Sequence, residues 1–341
     1  MSIESMRLVQ IIHPQTGRSV ALVREPSLVL LKDTGSIYQL ALDSLDKQEN
    51  IENLVLSRLS GELLDYNPVY EGKNEWKLLP SFDHPQNPSA CIVSGTGLTH
   101  KNSALNRQMM HGTGEVKLTD SMQMYQWGLE GGRPENGAPG VQPEWFYKGT
   151  GNILRGHGER LEIPWFGNDG GEEPEVAGVY IVDRKGQPWR IGLTTANEFS
   201  DHIMEKKNYL YLAPSKLRNC AIGPELVLTS DFESVHGTVS ISRDGIITWS
   251  KNIQSGEKNM AHSLANLEHH HFKYPDHRVP FQVHVHFFGA DAFSFGDQVV
   301  LQDGDLMIIN WEELGRPLKN PLQISIDSEK LVKVKTLTID H

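Results

Sequence analysis

The feature of this sequence that most constrains its fold is a long series of short segments with strand composition. From residue 91 onward, stretches rich in Val, Ile, Leu and aromatic residues recur between Gly, Asp, Asn or Pro. They are CIVSGTG, EVAGVYIVD, PWRIGLTTA, CAIGPELVL, GTVSISRDG, IITWSK, QVHVHFF and DQVVLQDGDLMIINW. Such residues favour strands bounded by turns. Helical patterns are fewer, the best being 100–111 and 259–270, so the sequence predicts a sheet-rich α+β domain.

A smaller strand-rich unit precedes this series. The N-terminal region contains three strand-like segments, followed by a helical pattern at 36–47. The polar stretch 65–90 carries four prolines and no sustained periodicity, which is typical of a connection between domains. We therefore predict a small N-terminal domain over 1–85 and a larger, catalytic domain over 86–335. The Gly/Pro/Asn-rich segment 128–143 is predicted to form a long loop.

Charge and cysteine content argue against several classes of partner. The formal charge is −11, with 43 acidic and 32 basic residues, and no run of Lys or Arg suggests a nucleic-acid or membrane surface. No apolar stretch reaches the roughly 20 residues that cross a bilayer, and the N-terminus lacks the apolar core of a signal peptide. Cys91 and Cys220 have no zinc or CxxC spacing and are predicted to be reduced, buried thiols. These observations predict a cytoplasmic protein.

The segment GEEPEVAGVYIV, residues 171–182, places three glutamates at the start of a predicted buried strand. Successive strand side chains point to opposite faces, so Glu173 and Glu175 should share one face and Glu172 the other. Two converging carboxylates repel each other unless a cation neutralises them, and oxygen donors bind Mg²⁺, Mn²⁺ or Ca²⁺. A solvated acidic turn has the same composition, so the residues alone leave both interpretations open.

Further carboxylates follow the next predicted strand. Glu198 and Asp201 lie just past its end, where one of them could complete a set of three ligands. Asn197 is also a good helix N-cap, and acidic residues favour the first turn of a helix. A metal ligand and a helix start are compatible here.

Five longer motifs resemble those of the fumarylacetoacetate hydrolase superfamily, and they occur in the same order. They are FYKGTGNILRGHGERLEIP, EEPEVAGVYIV, GLTTANEFSDH, LYLAPSKLRNCAIGPELV and GDLMIINWEELGRPLKNPL, within residues 90–322. Five ordered motifs are far more specific than one pair of glutamates. The residues of these motifs are most similar to those of the sugar-acid branch, which includes 2-keto-3-deoxy-D-arabinonate dehydratases.

The resemblance implies a twisted mixed β-sheet rolled into a sandwich-like barrel, preceded by a small strand-rich domain. It also implies a divalent metal held by two glutamates of an ExE motif and a third carboxylate. Carried over by position, the pair is Glu173 and Glu175. The third ligand matches Glu198, where the family has Asp, and Asp201 is the alternative.

The resemblance also suggests residues that would act on a substrate. Lys216 matches a family lysine that precedes the Gly-Pro turn and is a candidate catalytic residue, although an ordinary surface lysine would have the same context. Lys148 in FYKGTG borders the family's substrate pocket and is a candidate substrate-binding residue. Glu144 is a candidate general acid or base, with plain surface as the alternative. His100 is a candidate base at the start of a lid-like helix.

Two histidine-rich segments could suggest a second metal site. His284 and His286 form an HxH pattern, which lacks an identifiable third ligand and is interpreted as part of a strand. The run at 269–271 is interpreted as a solvated helix end. Neither segment is predicted to bind metal.

The implied chemistry follows from a metal that an α-keto acid can chelate. The expected function is a Mg²⁺-dependent dehydratase, with Mn²⁺ or Ca²⁺ possible, that acts on a 2-keto-3-deoxy pentonate. It would proceed through a metal-stabilised enolate and give 2-oxoglutarate semialdehyde. A diketo-acid C–C hydrolase and a non-catalytic sugar-acid-binding protein stay open, because Glu198 and Ala290 depart from the family pattern. The expected partners are a small 2-keto acid and a second copy of the chain in a homodimer, with no nucleic acid and no membrane.

Overall fold

Two β-sheets form the framework of the protein. A computed structural model describes residues 5–111, 118–135 and 137–337. The strands are β1 (Met6–His13), β2 (Gly17–Arg24), β3 (Ser27–Leu31), β4 (Leu59–Asp65), β5 (Lys77–Leu78), β6 (Cys91–Gly97), β7 (Glu144–Thr150), β8 (Leu154–Arg155), β9 (Leu161–Ile163), β10 (Pro174–Val182), β11 (Pro188–Asn197), β12 (Cys220–Leu228), β13 (Val235–Arg243), β14 (Ile246–Ser255), β15 (Val283–Phe287), β16 (Leu306–Trp311) and β17 (Leu318–Ile324). The helices are α1 (Ile37–Lys47), α2 (Ile51–Ser57), α3 (Tyr66–Tyr70), α4 (Lys101–His111), α5 (Asp120–Gly131), α6 (His202–Lys207), α7 (Leu212–Lys216) and α8 (Leu264–Phe272).

The larger sheet has twelve strands among the described residues and mixes parallel and antiparallel pairs. Its main order is β4-β3-β2-β1-β12-β11-β10-β15-β6-β7, while β5 pairs with β1 and β8 with β12. The pairs β15–β6 and β12–β8 are parallel, and the other pairs are antiparallel. Strands β10 and β12 are buried along their whole lengths, which explains their nearly continuous apolar composition.

The smaller sheet packs against one face of the larger one. Its order among the described strands is β14-β13-β16-β17-β9. Val176 and Tyr180 of β10 meet Ile309 and Trp311 of β16 in one buried apolar cluster. This face-to-face packing confirms the predicted α+β fold with a mixed sheet in a sandwich-like arrangement.

The N-terminal strands continue the larger sheet rather than forming a sheet of their own. Met6 to Leu8 of β1 pair with Leu226 to Leu228 of β12. The stretch 65–90, predicted to be a connection, contains α3 and β5, and β5 pairs back onto β1. Main-chain hydrogen bonds therefore cross from one predicted unit to the other. The domain boundary at residue 85 stays a prediction.

Some predicted elements differ from the observed ones. Residues 128–131, predicted as part of a loop, end helix α5, which begins after the N-cap Thr119. The sequence of α5 has little amphipathic periodicity, so the apolar pattern does not indicate a helix. The helix begins where the Thr119 hydroxyl accepts a hydrogen bond from the Met122 N–H. Of the strand predicted over 297–311, only β16 forms. Among the described residues, no helix is long and apolar enough to cross a membrane.

Candidate metal centre

The β10–β11 hairpin brings three glutamates to one point. Pro174 pairs with Asn197 and Glu175 with Ala196, so Glu173 and Glu198 lie just beyond the paired ends. The Glu198 N–H donates to the Glu173 carbonyl at 3.0 Å, which extends the pairing by one more bond. One carboxylate oxygen each from Glu173, Glu175 and Glu198 lies within 4.8 Å of the other two. All three residues are buried, which excludes the alternative of a solvated acidic turn.

Two buried lysines surround this glutamate triad (Glu173, Glu175 and Glu198). The Lys216 Nζ donates to Glu173 Oε1 at 2.8 Å, to Glu198 Oε2 at 2.6 Å and to Ser200 Oγ at 3.0 Å. The Lys148 Nζ lies 2.6 Å from Glu198 Oε1 and donates to the carbonyls of Phe199 and Lys216. Both lysine side chains therefore lie directly against the carboxylates of the triad.

The triad fits a hard divalent cation. The three carboxylates face one point, with the Lys148 Nζ 2.6 Å from Glu198 Oε1 and the Lys216 Nζ 2.6 Å from Glu198 Oε2. The donor set consists only of carboxylate oxygens, which suits Mg²⁺, Mn²⁺ or Ca²⁺.

The charges around the triad shift the three carboxyl groups in different directions. Burial opposes ionisation of Glu173, but the Lys216 ammonium and the hydrogen bond from His202 outweigh it and hold its pKa well below the usual range. Burial, together with the negative charges of Glu198 and Glu173, raises the pKa of Glu175 well above the usual range. Burial also raises the pKa of Glu198, against the opposing effect of Lys148 and Lys216. The raised pKa values of Glu175 and Glu198 indicate that the two lysines do not fully offset the negative charge that three ionised glutamates would carry.

Glu175 and Glu172, on opposite faces of the β10 segment, both accept hydrogen bonds from the segment that follows β15. The Gly289 N–H donates to Glu175 Oε2 at 2.6 Å, and φ at Gly289 is +98°, a conformation that favours glycine. Glu172, on the other face as predicted, accepts from the Ser294 N–H at 2.6 Å and from its hydroxyl at 2.8 Å. All three glutamates of the EEPE motif therefore have a partner that fixes them.

Histidine 202 supports the triad from the side. Its Nε2 lies 3.1 Å from Glu173 Oε1. Its ring is sandwiched between Phe293 at 4.8 Å and Phe295 at 5.0 Å between centroids. Burial opposes protonation, but hydrogen bonding to Glu173 raises the pKa of His202. The stacked rings fix the imidazole and, through it, the Glu173 carboxylate.

Strand β7 supplies the opposite wall of the site. Glu144, Phe146 and Lys148 alternate along it and face the triad side, with the Lys216 Nζ 4.9 Å from the Phe146 ring centroid. Glu144 pairs with Gly97 across the sheet, and a Cβ at Gly97 would overlap the Glu144 carboxylate. The Tyr209 hydroxyl donates to Glu144 Oε1 at 3.1 Å. Glu144 is buried, so it is not the surface acid that its sequence context also allowed.

The alternative third ligand and the candidate base occupy other positions. Asp201 caps α6 by accepting from the Met204 N–H at 2.8 Å, and its other oxygen accepts from Arg218 at 2.9 Å. Asp201 therefore serves α6 and Arg218, and the triad contains Glu198 instead. His100 is buried, its Nδ1 lies 2.9 Å from the Thr99 hydroxyl, and burial lowers its pKa to about 3.

The histidine-rich segments meet in the interior of the protein. His271 of α8 lies 2.9 Å from His284 (Nε2 to Nδ1), and the His271 and His286 rings are 4.4 Å apart. The predicted solvated helix end is therefore wrong, because His270 and His271 are buried. His284 and His286 lie on a strand, as predicted. Among the described residues, only the glutamate triad has the mutual distances of a metal site.

Replacing Glu198 distinguishes the two candidates for the third ligand. We expect Glu198→Ala to weaken Mg²⁺ binding at least about tenfold, measured by calorimetry, because one of three carboxylates is lost. Glu198→Asp should retain binding with altered affinity. Asp201→Asn should leave the affinity unchanged and lower the free energy of unfolding by about 1.5–3 kcal/mol, since the Arg218 contact is weakened. Unchanged Mg²⁺ affinity in Glu198→Ala would contradict the assignment.

Comparison with known protein sequences finds two relatives with related names. No family model matches the chain. A 2-dehydro-3-deoxy-D-arabinonate dehydratase of Saccharolobus solfataricus is 30% identical over 122 residues, 34% of this chain and 40% of that protein. A probable 2-keto-3-deoxyxylonate dehydratase of Haloferax volcanii is 32% identical over 113 residues, 32% of this chain and 37% of that protein. The similarity thus spans well under two thirds of the length of these curated relatives.

Solved structures extend the similarity to the whole fold. A 2-keto-3-deoxy-D-arabinonate dehydratase in its apo form has a TM-score of 0.69 at 20% identity, covering 94% of this chain and 100% of that one. A 2-keto-3-deoxy-D-arabinonate dehydratase in complex with magnesium and 2,5-dioxopentanoate has a TM-score of 0.68 at 19% identity, covering 94% of this chain and 99% of that one. A 2-hydroxyhepta-2,4-diene-1,7-dioate isomerase from Mycobacterium marinum has a TM-score of 0.58 at 15% identity, covering 95% and 100%. The resemblance predicted from the motifs is confirmed: this chain has the fold of the fumarylacetoacetate hydrolase superfamily.

Proposed function

We propose that this protein is a divalent-metal-dependent dehydratase of a 2-keto-3-deoxy sugar acid. The observation that carries the proposal is the buried glutamate triad, set in a fold that resembles such dehydratases over most of its length. The sequence relatives carry names of the same reaction class. A five-carbon substrate would lose water to give 2-oxoglutarate semialdehyde.

Glu173, Glu175 and Glu198 would hold the metal, and Mg²⁺ is the first candidate. When bound, such an ion acts as a Lewis acid on a carbonyl oxygen and makes the neighbouring C–H more acidic. The chain's contribution is to keep the three carboxylates close together. Lys216 offsets their repulsion, and Gly289 and His202 fix two of them in place.

The proton transfers are assigned to Glu144. Dehydration of a 2-keto-3-deoxy acid removes a proton from C3 and adds one to the departing C4 hydroxyl. Glu144 lies on the wall formed by β7, two residues from Phe146, whose ring contacts Lys216. The Tyr209 hydroxyl fixes one of its oxygens, and Gly97 leaves room for the carboxylate above the neighbouring strand. A fixed carboxylate of this kind can serve both as base and as acid.

Lys216 and Lys148 are assigned supporting roles rather than proton transfer or direct substrate binding. A lysine must be neutral to act as a base, whereas the Lys216 Nζ donates to three acceptors, two of them carboxylates. Lys148 is buried and donates to two carbonyls beside Glu198. In this arrangement both lysines keep the triad close together before a cation binds.

Product analysis tests the function. We expect purified protein with Mg²⁺ to remove one water from at least one 2-keto-3-deoxypentonate, detected by mass, with EDTA abolishing the reaction. Appearance of pyruvate from a diketo acid, with no dehydration, would replace the proposal by C–C hydrolysis. The absence of turnover on either group with Mg²⁺, Mn²⁺ or Ca²⁺ would contradict an enzymatic role and favour sugar-acid binding.

A further inference from the structure

The C-terminal tail, defined as residues 326–337, leaves the smaller sheet and lies exposed on the surface. It follows β17, and every residue in it is exposed. Apart from the Asp327 N–H, which donates to Ser325 Oγ at 3.3 Å, its backbone makes no hydrogen bond with the described residues. Val334 is 90% exposed and Leu331 is 86% exposed. The apolar side chains of the tail are therefore available for contact with another molecule.

The composition of the tail is that of a β-strand. Within SEKLVKVKTL, residues 332–337 alternate Val and Thr with Lys and Leu. Val and Thr favour extended backbone, and a period of two places Val332, Val334 and Thr336 on one face with Lys330, and Lys333 and Lys335 on the other with Leu331 and Leu337. Residues 330–337 contain three lysines and no acid, in a chain whose net charge is −11. The tail therefore matches an edge strand that offers both an apolar side chain and a negative charge.

Strand β4 is such an edge. It pairs with β3 on one side and ends the order of the larger sheet. Leu63 is 65% exposed, and Glu62, its neighbour, is also exposed and points to the other face. On paired strands, residues directly opposite share a face. A strand laid along β4 can therefore place Val332 and Val334 beside Leu63 while Lys333 and Lys335 lie beside Glu62.

We propose that the tail of one copy adds as a strand to the β4 edge of a second copy. Main-chain hydrogen bonds would satisfy the open edge, and the two alternating faces would set the pairing. A second copy is the occupant because, within one chain, the tail is exposed throughout and β4 ends its sheet, so the two do not pair with each other. The inference does not depend on the proposed enzymatic activity.

Cross-linking between two preparations tests this pairing. One preparation carries Leu63→Cys, and the others carry Cys at one position from 332 to 336, or at Ser328 as a matched control outside the alternating stretch. A disulfide needs Cα atoms within about 7 Å, and the native Cys91 and Cys220 are buried. After mixing and mild oxidation we expect covalent heterodimers with Cys at 332, 334 or 336, and little product at 333, 335 or 328. No heterodimer, or equal yields at odd and even positions, would overturn the proposal.

A charge exchange tests the choice of edge with the same assay. Adding Glu62→Lys to the Leu63→Cys chain should lower the yield with Val334→Cys, because lysines then face one another. Adding Lys333→Glu and Lys335→Glu to the tail-bearing chain should restore it. Unchanged yields throughout would overturn the assignment to β4. All the altered residues are exposed, so thermal unfolding should match that of the unmodified chain.

Discussion

Replacing Glu173 or Glu175 with Gln is expected to abolish turnover, by about 10³-fold or more, while the protein stays folded. Gln keeps the shape of the side chain but removes a charge from the triad, so the affinity for Mg²⁺ falls and the electrostatic stabilisation of the reacting carbonyl is lost. Steady-state kinetics and calorimetric Mg²⁺ titration measure the two effects. Circular dichroism should be unchanged for both variants.

The neighbouring glutamate provides the matched control. Glu172 lies in the same motif but faces away and accepts both hydrogen bonds from Ser294. Glu172→Gln should lower the free energy of unfolding by about 1–3 kcal/mol, because a buried acceptor is lost, and leave Mg²⁺ affinity near normal. If Glu172→Gln lost Mg²⁺ while Glu173→Gln retained it, the assignment of the metal-binding face would be wrong.

Replacing Lys216 with Met is expected to destabilise the metal-free protein by about 3–5 kcal/mol at neutral pH, because it leaves buried carboxylates without their cation. Addition of Mg²⁺ should then raise the melting temperature more than it does for the unmodified protein. In the variant, the divalent ion replaces the missing positive charge as well as filling its own site. Calorimetric unfolding with EDTA and with Mg²⁺ measures both quantities.

Lys206, an exposed residue of α6, offers the corresponding surface control. Lys206→Met should change the free energy of unfolding by no more than about 0.5 kcal/mol, with the same Mg²⁺ effect as the unmodified chain. Equal stabilisation by Mg²⁺ in the Lys216→Met and Lys206→Met variants would show that Lys216 does not share its charge partners with the metal.

The sequence predicted those parts of the fold that depend on local pattern. Strand β10 begins at Pro174, as its composition indicates, and Glu172 points away from Glu173 because strand side chains alternate. Glu198 stands where the family has Asp, and its carboxylate nevertheless lies with those of Glu173 and Glu175. These features lie within a few residues of one another, so periodicity and turn signals are sufficient to predict them.

Contacts between distant segments could not be predicted in the same way. His202 stacks on Phe293 and Phe295, some ninety positions away, and Tyr209, which follows α6, donates to Glu144 at the start of β7. No local pattern marks such partners, because each depends on register and on how loops return to the sheet. Gly97 is the exception, since a glycine within an apolar strand already indicates a close approach by another group. The prediction of a solvated helix end at 269–271 was wrong because three consecutive histidines have the polar composition of an exposed segment, whereas His270 and His271 are buried.

The continuous sheet across the two predicted units limits how this chain can be divided in the laboratory. Cutting near residue 85 would remove β1 from β12 and leave unpaired the main-chain donors and acceptors of Leu226, Val227 and Leu228, whose side chains are buried in the intact chain. Such an apolar edge is a template for aggregation. A fragment that begins near residue 86 should therefore be recovered as insoluble material, whereas a fusion to the N-terminus of the intact chain, which leaves β1 paired with β12, should stay soluble.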